Sequence, residues 1–137
     1  MLTIRTACLE DEQAVVALWR RCGLVVSYND PVADFQFAVR SECSDVLIGV
    51  DASGDIKSSL MVGHDGHRGW IYYVGSDPDS RGVGLGRDIT RAAEDWLRRR
   101  SIAKMQLLVR ESNSKVVSFY ERLGFETVPT VVMAKWL

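Results

Sequence analysis

The sequence predicts an α/β fold of the α+β type, with one mixed, mostly antiparallel sheet flanked by about four helices. Three observations carry this prediction. Apolar residues switch between period two and the helical period along the whole chain. Strand-like segments at residues 46–50, 56–64 and 70–74 follow one another with only short turn sequences between them, which makes them antiparallel neighbours. The regular strand–helix alternation of a doubly wound parallel sheet is absent.

The elements follow in order. Residues 2–6 alternate as a strand. Asp11 is placed to cap a helix in which Val15, Leu18, Trp19 and Cys22 fall on one face, and Gly23 is its stop. Tyr28-Asn-Asp-Pro31 turns the chain into a second helix, with Pro31 at its first position and Phe35, Ala38 and Val39 facing the core. After the strand at 46–50, Asp51-Ala-Ser-Gly-Asp55 turns the chain back, and Asp65-Gly66 is a second hairpin signal. A glycine-rich run follows the third of these strands. It leads into a long helix marked by Leu85, Ile89, Ala92, Ala93, Trp96 and Leu97, with Arg98, Arg99 and Arg100 at the end where the helix dipole favours cations. Residues 105–109 read as a strand. Ser112 or Asn113 caps a helix carrying Val116, Phe119, Tyr120 and Leu123 on one face, Gly124 ends it, and residues 131–136 read as a final strand. The expected order is β-α-α-β-β-β-α-β-α-β-β, within a single domain spanning residues 1–137.

Composition narrows the function classes. The chain is 47% hydrophobic and 26% charged, which places it among globular proteins rather than disordered ones. A formal net charge of -1 gives no reason to expect a nucleic-acid or membrane partner. Cys8, Cys22 and Cys43 are far apart and form neither a disulfide framework nor a zinc knuckle. With no apolar run of signal-peptide or membrane-span length, a cytoplasmic location is expected.

The chemistry centres on Ser76-Asp-Pro-Asp-Ser-Arg-Gly-Val-Gly-Leu-Gly86. Glycines between a strand and a helix allow a sharp turn and a close backbone approach. The free N–H groups of the first helical turn then attract an anion, with Arg81 and Arg87 adding charge at the edge. A Walker loop is absent, and the dinucleotide fingerprint started at Gly82 fails at Arg87, where it needs glycine. The pattern Arg/Gln-x-x-Gly-x-Gly/Ala fits Arg81, Gly84 and Gly86.

Asp77-Pro-x-x-Arg-Gly-x-Gly-x-Gly86, followed by Asn113-x-x-Val-x-x-Phe-Tyr-x-x-x-Gly-Phe125, resembles the GNAT family of acetyl-CoA-dependent N-acetyltransferases over essentially the whole chain. Leu18-Trp-x-x-Cys22, Asn29-Asp-Pro31, Gly63-x-Asp-Gly-His-Arg-Gly69 and Tyr72-Tyr73 look like its YpeA-like bacterial branch. The resemblance implies that acetyl-CoA is the co-substrate. Its pyrophosphate would be held by Arg81, Gly82, Val83, Gly84, Gly86 and Arg87, and its pantetheine arm by Val74, Ser76 and Asn113. It also implies a slot where the strand ending near Ser76 splays from the strand at 105–109, and a backbone N–H near Val74 as oxyanion donor. Ser76 and Ser80 depart from the family pattern, which has an aliphatic residue and an aromatic residue there.

Acetyl transfer to an amine needs a neutral amine, a stabilised oxyanion and a protonated leaving thiolate. Spacing alone makes Tyr120 a core aromatic; the resemblance makes it the acid. Asn113 is read as a helix cap. The general base is open among His64, His67, Tyr72, Tyr73, Asp30, Asp34 and a water chain. His64-Asp-Gly-His67 reads as turn chemistry with no metal, Cys22 as a small core residue, and the arginine run as a solvated helix end. The expected activity is transfer of acetyl to a primary amine of a small molecule or peptide by direct attack in a ternary complex, by a monomer or homodimer. A non-catalytic acyl-CoA sensor is the alternative.

Overall fold

Strands form in the computed structural model where apolar residues alternate, and they assemble into a five-stranded sheet in simple sequential order. The structure describes residues 2–80 and 82–137. The strands are β1 (Thr3–Thr6), β2 (Ser44–Val50), β3 (Ile56–His64), β4 (Gly69–Ser76) and β5 (Met105–Gln106). The first four pair antiparallel, and β5 joins β4 in parallel. The helices are α1 (Glu12–Arg21), α2 (Pro31–Arg40), α3 (Leu85–Arg98) and α4 (Ser114–Arg122). The chain divides into two compact units, Met1–Leu107 and Leu108–Leu137. Among the described residues, no helix is long and apolar enough to cross a membrane.

In the first unit the sheet is covered on both faces. Val46 and Ile48 point to one face and join Val15, Val16 and Trp19 of α1 and Phe35 and Ala38 of α2 in a buried cluster. The other face receives α3, whose Leu85, Ile89, Ala93, Trp96 and Leu97 are buried. Leu97 lies so close to Gly69 that a Cβ there would meet its side chain at 2.5 Å. Trp96 donates its indole N–H to Asp45 at 2.9 Å, and the Arg100 guanidinium lies 3.6 Å from the centre of the Trp96 ring. One arginine of the basic run therefore packs against an aromatic face rather than standing wholly in solvent.

Local capping follows the sequence at some helix ends and departs from it at others. Asp30 accepts the N–H groups of Val32 and Ala33 at the start of α2, and Gly23 closes α1 with a φ of 70°. Asp11 differs from expectation. Its side chain makes no cap bond to α1. It accepts the Cys8 N–H across the preceding 3-10 turn and pairs with both guanidinium nitrogens of Arg5 at 2.8 and 3.0 Å. The short turn at Leu9–Asp11 takes the carboxylate before the helix can.

Two further expectations are corrected in the second unit. Asn113 occupies the N-cap position of α4, but its side chain makes no cap bond; with ψ at 67° it lies off the extended backbone from which a cap side chain reaches forward. The strand expected at 131–136 does not form. A strand exists only when a neighbour takes its N–H and C=O groups. Residues 126–137 carry no ladder, and Val131, Met133 and Trp136 are exposed. The strand expected at 105–109 is likewise reduced to Met105–Gln106.

Asp77 fastens the end of β4. It is only 3% exposed. One carboxylate oxygen accepts from Arg21 of α1 at 2.6 Å and from the Asp79 N–H at 2.9 Å, while the other accepts from Lys57 of β3 at 3.0 Å. Its own N–H donates to the Lys57 carbonyl at 2.7 Å, and its carbonyl accepts the Ser80 N–H. The Asp79 N–H, and then the Lys57 ammonium, hold the Asp77 carboxyl below the usual carboxylate range. A depressed carboxyl binds fewer protons in the folded state than in the unfolded chain. Its contribution to stability is therefore present above the unfolded value of about 3.9 and disappears as pH falls below that value. Urea denaturation of Asp77→Asn should show lower stability than wild type at neutral pH and a flatter loss between about pH 5 and pH 2. Parallel pH curves for the two proteins would remove this assignment.

Candidate functional site

The glycine-rich loop begins at the Asp77 anchor. Pro78–Ser80 makes one 3-10 turn, and the chain then passes through Gly82 and Gly84 to the first residue of α3. Arg81 lies outside the described residues. Gly82 and Gly84 have φ of 87° and 82°, in the left-handed region that glycine tolerates without strain. Gly84 is the N-cap of α3 and offers no capping side chain. A Cβ at Gly84 would meet the Arg87 guanidinium at 2.5 Å. Within the helix, the Asp88 N–H bonds back to the Gly84 carbonyl. The N–H groups of Leu85, Gly86 and Arg87 precede the first intrahelical donor, so they face outward at the positive end of the helix dipole. Val83 is 66% exposed, and Arg87 is exposed and touches Asp88 at 3.1 Å. An uncovered backbone, a positive helix end and a nearby arginine suit a phosphate-bearing ligand.

The second part of the site is a bulge in β4. Ser59 pairs with Gly75 and Met61 with Tyr72, so Tyr73 and Val74 together stand opposite Leu60. Tyr73 has a φ of 54°, unusual for a bulky residue. Its ring stacks on Trp19 with centroids 4.1 Å apart and planes 11° from parallel, and its hydroxyl donates to Asp34 of α2 at 2.6 Å. Burial, and then the Asp34 carboxylate, push the Tyr73 phenol well above its ordinary value. Trp19 is itself fixed by its indole N–H to the Ser59 hydroxyl at 3.2 Å.

Beyond the bulge, the Ser76 carbonyl accepts the Cys22 thiol at 3.2 Å. Cys22 thus packs against the end of β4 rather than deep in the core. On its far side, β4 pairs with β5 only at Gly69–Met105 and Trp70–Gln106. From Ile71 to Ser76 it has no β5 partner, so the parallel ladder stops before the bulge begins.

The second unit carries Asn113 and Tyr120 on α4. Tyr120 is buried, with edge-to-face contacts to Phe119 at 5.0 Å and Phe125 at 5.3 Å between centroids. Its carbonyl accepts the N–H groups of Leu123 and Phe125 as the chain turns through Gly124. Burial pushes its phenol up to about 12, so it holds its proton throughout the neutral range.

The first unit thus gathers Val74 and Ser76 on one strand end, and Asp77 joins that end to Gly82, Val83, Gly84, Gly86 and Arg87. Sequence reading missed the tie that does the joining, since nothing in the spacing of Arg21 and Lys57 marks them as partners of Asp77. His64 and His67 belong to the hairpin turn: His64 Nδ1 accepts the Gly66 N–H, and Asp65 accepts those of His67 and Arg68. A depression of about 420 Å³ over α2, lined by Ala33, Gln36, Phe37, Arg40 and Ser41, contains none of the predicted site residues.

Comparison with known proteins gives the kinship of the chain. The family model described as Acetyltransferase (GNAT) family matches residues 12–125. An acetyltransferase of Pectobacterium atrosepticum is 38% identical over 99% of this chain and 96% of its own length. One from Yersinia enterocolitica is 35% identical with the same coverage. Among solved structures, a predicted acetyltransferase with acetyl-CoA from Clostridium acetobutylicum superposes with a TM-score of 0.80 at 16% identity, covering 98% of this chain and 96% of that one. AAC(6')-Iy, in complex with the bisubstrate analog CoA-S-monomethyl-acetylneamine, gives a TM-score of 0.84 at 16% identity, covering 100% and 99%. At those identities the structures speak for the fold, while the family model and the full-length relatives speak for kinship: the chain belongs to the GNAT family of acetyltransferases.

Proposed function

We propose that the protein moves an acetyl group from acetyl-CoA to a primary amine by direct attack, with both substrates bound together. The observation that carries this reading is the side-chain-free cap of α3 at Gly84, set at the end of a bulged strand. The residues present fit the coenzyme. The loop at Gly82–Arg87 presents backbone donors with no Cβ at Gly84, where a φ of 82° suits glycine. Arg81 and Arg87 supply charge for the pyrophosphate, and Val74, Ser76 and Asn113 offer polar backbone or amide groups to pantetheine. When bound, the coenzyme supplies an activated thioester carbonyl. The Val74 N–H of the bulge is the donor assigned to the oxyanion, because a bulge frees backbone groups from the ladder. Tyr120, protonated at neutral pH, is assigned as the acid for the departing thiolate. The bisubstrate complex of AAC(6')-Iy and the coenzyme complex of the Clostridium protein support the donor. The amine acceptor is a small molecule or a peptide.

Four measurements test this reading. In thermal-shift titration, acetyl-CoA and CoA should stabilise the protein while ATP and NAD do not. At about 100 times Kd the gain is about 2.7 kcal/mol, and no response to CoA species at millimolar concentration would sink the proposal. Thiol release across amine and peptide panels separates an enzyme from a coenzyme sensor. With an acceptor in hand, Tyr120→Phe should lower kcat by about 10²-fold or more and leave the KM for acetyl-CoA nearly unchanged. An unchanged kcat would end the acid role. Gly84→Ala forces an L-residue into the left-handed region at about 1–2 kcal/mol. Because the loop is exposed, most of that cost should appear as a rise of about tenfold in the acetyl-CoA Kd, by calorimetry, with only a small drop in melting temperature.

A further inference from the structure

We propose that Tyr73 is a positioning residue. Its phenol, gripped between the Trp19 ring and the Asp34 carboxylate, holds the β4 bulge in register and so fixes the direction of the Val74 N–H. The proposal rests on the reading of acetyl-CoA as donor and adds to it what keeps the donor group aimed.

Successive side chains of a strand point to opposite faces of the sheet. Tyr72 stands opposite Met61, on the sheet face covered by α1 and α2. In an uninterrupted strand Tyr73 would point to the opposite face, toward α3. Instead it packs on the α1/α2 cluster and stacks on Trp19, so Tyr72 and Tyr73 share a face. Each residue after the bulge is displaced to the face it would not otherwise take. Val74 turns away from α1, and Gly75 turns toward it. At Gly75 a Cβ would meet Leu24 at 3.0 Å and the Cys22 sulfur at 3.1 Å, so only glycine sits there without pushing its neighbours. Slipping back by one residue would bring Val74 or Ser76 to that point. The bulge is thus defined from both sides, by a ring that must reach Trp19 and by a strand position where a side chain would have to push Leu24 and Cys22 aside.

The backbone at Tyr73 does not favour this state by itself. A φ of 54° on an aromatic residue is sparsely populated and persists only where the surroundings over-determine it. Four contacts do so, two on the phenol itself and two on the indole it stacks against. The indole plane of Trp19, 0% exposed, fixes the ring plane. The Ser59 hydroxyl and the edge of Phe35, 6.2 Å from the Trp19 centroid, fix the indole. The 2.6 Å bond to Asp34 fixes the far end of the phenol. Asp34 sits in the first turn of α2, whose start is pinned by the Asp30 cap, so the grip is anchored on regular structure.

Tyr73→Phe keeps the ring and its stacking and removes only the hydroxyl. In amide ¹⁵N–¹H spectra of the wild type, acetyl-CoA should shift the Val74 and Gly75 signals. In Tyr73→Phe the same signals should broaden or divide in the free protein, and their response to acetyl-CoA should shrink. With any amine that is turned over, kcat should fall about tenfold or more while the KM for acetyl-CoA stays within about twofold, because misaim touches the reacting centre and not the pyrophosphate loop. Asp34→Asn, which still accepts the phenol proton, should keep more of the wild-type kcat and spectrum than Asp34→Ala. Sharp Val74 and Gly75 signals with a wild-type response in Tyr73→Phe would overturn the proposal while leaving the donor reading intact. So would an equal loss in Asp34→Asn and Asp34→Ala, which would make Asp34 a charge in the reaction rather than an anchor. A wild-type spectrum that acetyl-CoA does not move anywhere would overturn the donor reading, and this inference with it.

Discussion

The Asp77 carboxylate is the interaction on which the first unit's functional end depends. It is buried, and a buried anion is costly unless every oxygen is engaged. Here α1 supplies Arg21, β3 supplies Lys57 and the loop supplies the Asp79 N–H. Three elements far apart in sequence therefore meet at the residue where β4 ends.

The bulge upstream is the second constraint, and it acts by parity rather than by charge. One extra residue opposite Leu60 turns Tyr73 onto Trp19 and lets Gly75 face Cys22. The parallel ladder to β5 stops at Trp70, before that point. Strand β4 is accordingly regular where it is paired on both sides. It becomes irregular only where β3 alone constrains it, which is where a strand can depart from the pleat at least cost.

Most of the fold was legible because it rests on short-range rules. Strand β3 runs over the same residues that alternation predicts, Pro31 opens α2, and Gly23 and Gly124 turn the chain in the left-handed region. Apart from the Asn113 cap, lost to its own backbone angle, the misses share one cause, a partner that short-range rules do not supply. Asp11 had a stronger partner in Arg5 than in its own helix. Residues 131–136 alternate like a strand but have no ladder. The bulge was invisible because Tyr72 and Tyr73 both favour strands, and only the contact with Trp19, more than fifty residues earlier, separates them. Of the candidate site, the glycine cap was readable from spacing. The grip on Tyr73 and the partners of Asp77 were not, since they depend on where α1, α2 and β3 come to lie.

The two ways of starting a helix in this chain show why the glycine cap reads as functional. Helix α2 begins with an aspartate cap and a proline at its first position, the arrangement that most stabilises an N-terminus. The longer helix α3, of 14 residues, begins on a left-handed glycine with no side-chain cap. Glycine caps nearly as well as the polar residues in energy, but a side chain at that point would occupy the donors itself. Leaving them uncovered gives away little stability and keeps the N–H groups of Leu85, Gly86 and Arg87 available to an outside anion. Recognition by backbone is also why the donor can be inferred from glycine spacing. Backbone donors demand only that side chains be absent, and absence is written plainly in a sequence. An acceptor is recognised by side chains converging from several elements, and convergence is a property of the folded chain alone.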